Sequence, residues 1–123
     1  VSRHLQRPFR FVCLTDDGTG IDPSIEVKPI PAVGFDEFDQ RKPWTFGHGW
    51  LKLTSFADPL YDLKGRTLFL DLDIVIVDSL DPFFDEPGEF IVIKEWDKQD
   101  GTGNTSCYRY TIGAHADALE HLK

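Results

Sequence analysis

Two carboxylates, Asp71 and Asp73, stand one residue apart inside an apolar run, LFLDLDIVIVDSLDPFF, residues 68–84. A lone buried carboxylate is costly, and two close neighbours repel. A divalent cation, a proton held on one of the pair, or local solvent would each offset that cost. Side chains two apart on a strand share a face, so both acids are expected to point one way while Leu72 packs on the other side. The plain alternative is a strand that ends in solvent.

Other residues are candidates to complete such a site. Lys52 lies between Leu51 and Leu53, a placement that by itself reads as the solvent face of a helix. Trp50 is read as core more than as pocket lining. Asn104 and Ser106, in GNTSC, alternate at a strand entry and so share a face. Asp16 and Asp17 follow a strand's carboxyl end and read as a solvated turn. Glu95, Trp96 and Asp97 close another strand on the same expected edge. Arg10, Arg66 and Arg109 are scattered and read as solvated. His4, His48, His115 and His121 show no metal-ligand spacing.

These residues need a scaffold. Residues 9–14 read as a strand buried on both faces, with the tail of a helix before it and an Asp- and Gly-rich loop after it. A second strand is expected near 25–30, ended by Pro31. Residues 32–49 lack periodicity and read as a long loop. Trp50, Leu51, Leu53, Phe56 and Ala57 form a helical stripe closed by Pro59. A strand led in by Gly65 carries the acidic pair. Asp81-Pro82 reads as an N-cap and first-turn pair. Strands follow at 89–96 and in TSCYRYTIG, then a helix opens at AHADALE. Alternating strand and helix signals predict a single domain of α/β class.

The 123 residues suit one modest domain, and 41% hydrophobic content with 10 Phe and no Met predicts an aromatic and β-branched core. The net charge of −8 comes with no concentrated basic surface, which weighs against a nucleic-acid backbone binder. No apolar run of membrane-spanning length is present, and no signal peptide is visible. A cytoplasmic location is the expectation. Cys13 and Cys107 are too few for a disulfide framework, and Cys13 reads as a reduced core thiol.

Two enzyme chemistries use acids at this spacing. In a phosphatase of the haloacid-dehalogenase type, Asp71 would attack phosphorus and Asp73 would act as acid and base beside Mg²⁺. That motif normally opens its fold, whereas here half the chain precedes it. The Thr-Leu that usually follows is Val75-Ile76. The second chemistry comes with a broader likeness. GWLKLTSFADPLYDLKGRTLFLDLDIVIVDSLDPFFDEPG resembles the central segment of nucleotide-sugar transferases with the GT-A fold, above all the glycogenin-like and related bacterial groups. Lys52-Leu53, Leu68 to Leu70, Asp71-x-Asp73, Val75, Asp78, Leu80, Phe83 and Phe84 occur in that family's order. RPFRFVCLTDD and GNTSCYRY extend the likeness to about residues 7–115.

The resemblance implies a three-layer α/β/α domain with a mostly parallel mixed sheet, here incomplete at both ends. It implies transfer of a sugar from a nucleoside diphosphate sugar to a hydroxyl acceptor, with Mn²⁺ or Mg²⁺ as cofactor. In that family Asp71 would touch ribose and metal, Asp73 would ligate the metal directly, and Lys52, Asn104 and Ser106 would face the donor. A further ligand, often His, would lie beyond Lys123, since neither His115 nor His121 sits in a matching motif. The first strand would likewise lie outside the chain. A binding domain without catalysis stands as a third reading.

Overall fold

The structure, a computed structural model, describes residues 1–32 and 49–120. The expected long loop falls almost wholly outside them. The described elements, in order, are β1 (Val12–Leu14), β2 (Glu26–Lys28), a 3₁₀ helix (Gly49–Phe56), β3 (Arg66–Leu70), α1 (Pro82–Asp85), β4 (Ile91–Lys94), β5 (Gly103–Thr111) and α2 (Asp117–Glu120). The chain is therefore of mixed α/β content, with small sheets and short helices.

β1 and β2 pair in parallel, from Val12 opposite Glu26 to Leu14 opposite Lys28. β5 lies between β3 and β4 and is antiparallel to both. The expected mostly parallel mixed sheet is not seen: among the described residues, parallel pairing is limited to β1 with β2. The reason is connection length. Eight residues, 95 to 102, separate β4 from β5, enough for a hairpin, whereas a parallel crossover needs about a dozen or more. Because β5 reverses between them, β3 and β4 point the same way. Their carboxyl ends and the start of β5 share one rim.

The alternation of β5 sorts its side chains onto two faces. Tyr108 and Tyr110 face the 3₁₀ helix and α2, where they form a buried cluster with Phe56 and Leu119. Tyr108 stacks on Phe69 at 4.8 Å and on Phe90 at 5.4 Å, and Phe56 meets Tyr110 edge-on at 5.0 Å. Such pairs add to the burial of area. The predicted aromatic core is present.

The apolar stripe at 50–57 folds as a 3₁₀ helix. Thr54 Oγ1 and Ser55 Oγ each donate to the carbonyl three residues back, Leu51 and Lys52, at 2.7 Å. Such back-bonding competes with regular helical pairing. The tyrosines then bolt this helix to the sheet. Tyr110 Oη donates to the Ser55 carbonyl at 2.7 Å, and Tyr108 Oη lies 3.0 Å from Ser55 Oγ.

Three local expectations are corrected. Arg109 is not solvated: it is 1% exposed on the opposite face of β5 from the tyrosines. Its guanidinium donates to the carbonyls of Phe83, Gly88 and Glu86 at 2.9, 2.7 and 3.0 Å, clamping the turn after α1. Arg10 and Arg66 are exposed as expected. Asp81 precedes α1 but does not cap it. Its backbone is already helical, with φ −58° and ψ −37°. Its carboxylate is taken by the Gln6 amide at 3.1 Å and by Arg7 Nε at 3.0 Å, a charged partner stronger than the free amides of a one-turn helix. Finally, β1 spans three residues rather than six, and Phe9 and Phe11 stay exposed.

Candidate functional site

The rim formed by β3, β4 and β5 carries the acidic pair. The Asp71 amide donates to the Ser106 carbonyl at 2.8 Å, extending the β3–β5 pairing one residue past the strand. Asp71 Oδ2 then accepts from Lys52 Nζ at 3.0 Å. Both residues are half-buried, so this ion pair is shielded more than a surface one. Lys52 Nζ also lies 3.4 Å from the Thr105 carbonyl and 6.0 Å from the Phe69 ring centroid, at the limit of a cation–π contact. The lysine is held from behind, because its own carbonyl accepts the Ser55 hydroxyl.

After Asp71 the chain turns. Leu72, expected to pack, is 97% exposed. Strand alternation does not reach it, since β3 ends at Leu70 and residues 72 and 73 form a turn. Asp73 is exposed, with no hydrogen-bond or ion-pair partner among the described residues. Asp71, Asp73 and Lys52 all line one cleft of about 1160 Å³. Neither acid is walled off.

Asn104 and Ser106 stand beside this rim rather than on the cleft lining. Asn104 is fixed at both ends of its amide. Its Oδ1 accepts the Ser106 amide at 2.9 Å, and its Nδ2 donates to Glu95 Oε2 at 2.9 Å. Glu95 is anchored in turn by its own amide, which donates to the Thr102 carbonyl at 2.9 Å. Ser106 contributes through its backbone. One bonded path therefore runs Lys52–Asp71–Ser106–Asn104–Glu95. The part played by Glu95 was open in the sequence. Its place at the carboxyl end of a strand was the signal, and the Asn104 bond gives it a function as an orienting group. Trp96, beside it, is 71% exposed.

The charge at the rim reaches the core. Burial, and secondarily the Asp71 carboxylate, push the Cys107 thiol up to about 11. Burial also raises Tyr108, with Asp71 a lesser cause. Both groups stay protonated at neutral pH. The remaining candidates separate from the rim. Asp17 Oδ1 accepts the Thr19 amide at 2.8 Å, and hydrogen bonds from Thr19 lower its pKa, as in a polar turn. His115 packs edge-on against Phe56 and Phe90, and its Nε2 is buried with no hydrogen-bond partner among the described residues. The Trp50 side chain, His48 and His121 lie outside the described residues.

Among the described residues, no group of three or more His, Cys, Asp and Glu side chains comes together to hold a metal alone. The donor set nevertheless fits one class of ion. Mg²⁺-like cations are commonly bound by one or two carboxylates, with substrate phosphates and water completing the shell. Asp71 and Asp73 supply two hard carboxylates beside one cleft, with an ammonium at hand. Comparison of the chain with protein-family models, with curated proteins and with solved structures finds no match.

Proposed function

We propose that this chain is the nucleotide-sugar-binding part of a metal-dependent glycosyltransferase of the GT-A type, acting from a nucleoside diphosphate sugar on a hydroxyl acceptor. The observation that carries the reading is the convergence of Lys52, Asp71 and Asp73 on one cleft at the carboxyl end of β3. In open α/β sheets, ligands gather at that end of the strands. Helical segments lie against both faces of the larger sheet, α1 against one and the 3₁₀ helix with α2 against the other, which supports a layered domain.

The chemistry follows from charge. The sugar–oxygen bond to the diphosphate breaks, and its electron pair goes to the distal phosphate oxygen. The acceptor oxygen bonds the anomeric carbon, and its proton passes to water. Catalysis is served by positive charge placed where the leaving group becomes negative. Lys52 supplies one such charge from a fixed position. Asp71 and Asp73 would hold Mn²⁺ or Mg²⁺, which supplies Lewis-acid neutralisation of the diphosphate. Asn104, locked by Glu95, retains one N–H and one lone pair for a sugar hydroxyl.

Calorimetric titration of nucleoside diphosphates, with and without Mn²⁺, tests this on the wild type and on Asp73→Asn. Binding is expected only with the cation, and at least about tenfold weaker in the variant, or about 1.4 kcal/mol. Equal affinity in the two proteins would overturn the reading.

A further inference from the structure

The cleft that reaches Asp71 and Asp73 is longer than a ligand site needs. It runs along residues 66–73 without a gap, and along residues 7–12 on the opposite wall. Alternate strand residues point to opposite faces, so a cavity that touches every residue in turn meets the strand's edge, not a face. The cleft therefore lies in the plane of the sheets, between the edge of β1 that β2 leaves open and the edge of β3 that β5 leaves open.

The pairing pattern identifies the backbone groups on those edges. The Asp71 amide donates to the Ser106 carbonyl, and the Ile112 amide to the Gly65 carbonyl. Antiparallel pairs alternate, so Thr67 and Phe69 also bond to β5, while Arg66, Leu68 and Leu70 turn their N–H and C=O groups to the cleft. On β1, the Glu26 amide donates to the Phe11 carbonyl and the Thr15 amide to the Lys28 carbonyl. Val12 and Leu14 then face away from β2, and both line the cleft while Cys13 does not. Among the described residues these outward groups have no backbone partner.

The other two walls close the space. Leu51, Thr54 and Ser55 of the 3₁₀ helix border it on one side of the sheet plane, and Leu80 and Phe84 on the other. Two open strand edges, a helical layer above and apolar side chains below describe the seat of a central strand. The size agrees. A five-residue strand to match β3 is about 17 Å long, and with strand spacing of about 4.8 Å and layer depth of about 10 Å it fills about 800 Å³. The cleft holds about 1160 Å³, enough for such a strand with space to spare. Charge sets the polarity along β3: Lys64 and Arg66 stand at its start, whereas at its end Asp71 is already paired with Lys52.

We propose that this cleft is a β-strand acceptor: it takes an extended polypeptide segment with an apolar centre and an acidic end where it meets Lys64 and Arg66, stopping short of Asp71 and Asp73. The segment pairs with both edges and joins the two sheets into one. Such strand addition draws its affinity from main-chain hydrogen bonds and its selectivity from side-chain pockets. Open apolar edges also invite pairing, which makes an unfilled seat a liability. The inference does not depend on the glycosyltransferase reading.

The test uses the chain with labelled peptides whose five-residue cores are drawn from Val, Ile, Leu and Ala, flanked by Glu-Glu at one end, placed either before or after the core. Binding is read by fluorescence anisotropy and by amide hydrogen exchange. At least one core is expected to bind below about 100 μM. It should slow exchange at least tenfold at Leu68, Leu70, Val12 and Leu14, and leave Phe69, already paired, unchanged. The same core N-methylated at alternate residues should not bind. Failure of every core, equal binding of the N-methylated form, or protection elsewhere would overturn the proposal. So would the same protection brought on by protein concentration alone, which would assign the seat to a second copy.

Discussion

Replacing Arg109 with methionine removes a buried charge and three hydrogen bonds while keeping most of the side chain's length. Each bond from a charged donor is worth about 1.5–3 kcal/mol, and a carbonyl left without a partner costs about 1–3 kcal/mol when buried. Against this, burying the guanidinium itself costs several kcal/mol, so removing it returns part of the loss. The net expectation for Arg109→Met is a destabilisation of about 3 kcal/mol, a large share of the roughly 5–15 kcal/mol that holds a domain folded. For a chain of this size that is a fall in Tm of about 10 °C. Thermal unfolding followed by circular dichroism measures it. Arg109→Lys, whose single ammonium cannot span carbonyls of Phe83, Glu86 and Gly88 at once, should lose about 2 kcal/mol. The loss should be local first, with faster amide exchange at residues 83–88. If Arg109→Met melts within about 3 °C of the wild type, the clamp does not hold that turn and the reasoning fails.

Other consequences follow from single contacts. Hydrogen bonds from Lys28 and then Arg10 lower the Asp62 pKa to about 2. A depressed carboxylate stabilises the fold above its unfolded value of 3.8 and loses that contribution as pH falls through its folded value. The Tm gap between wild type and Asp62→Asn should therefore be constant near neutrality, shrink below about pH 4 and vanish near pH 2; a gap that widens on acidification would contradict the pairing. Cys107 should react with a thiol reagent at pH 8 only after unfolding, so titration of two thiols in the native protein would contradict its burial. A Cβ on Gly103 would meet Val92 Cγ1 at 2.7 Å, so Gly103→Ala should cost about 1–3 kcal/mol in urea unfolding, and an unchanged midpoint would show that the β4–β5 contact is loose.

The strands were legible where β-branched and aromatic residues ran together. The strands read at 65–73 and 105–113 are present, but β3 stops at Leu70, before the acids, and β5 starts earlier, at Gly103. The site was legible in part. Lys52, Asp71, Asn104 and Ser106 lie along one hydrogen-bonded path at the same rim, and of the four Lys52 and Asp71 line the cleft. The sequence could not show that Ser106 acts through its backbone, nor that Asn104 leans on Glu95. Arg109 was misread because charged residues are usually solvated, and no local pattern announces three carbonyls waiting in a distant turn. The alternation of Tyr108 and Tyr110 did place Arg109 on the far face. Leu72 was misread because a period of two was carried two residues past the strand's end at Leu70. The extent of β1 depends on a neighbour, and a strand with one open edge does not reach back to Phe9.

A transferase of this kind needs the Asp71–Asp73 rim to hold a cation together with a diphosphate. Substoichiometric Mn²⁺, added with a nucleoside diphosphate while amide NMR signals are followed, reads that location directly. Selective broadening of residues 71–73 and 104–106, absent without the nucleotide, is the predicted result. Broadening that ignores the nucleotide, or that centres on Asp16 and Asp17 instead, would contradict it.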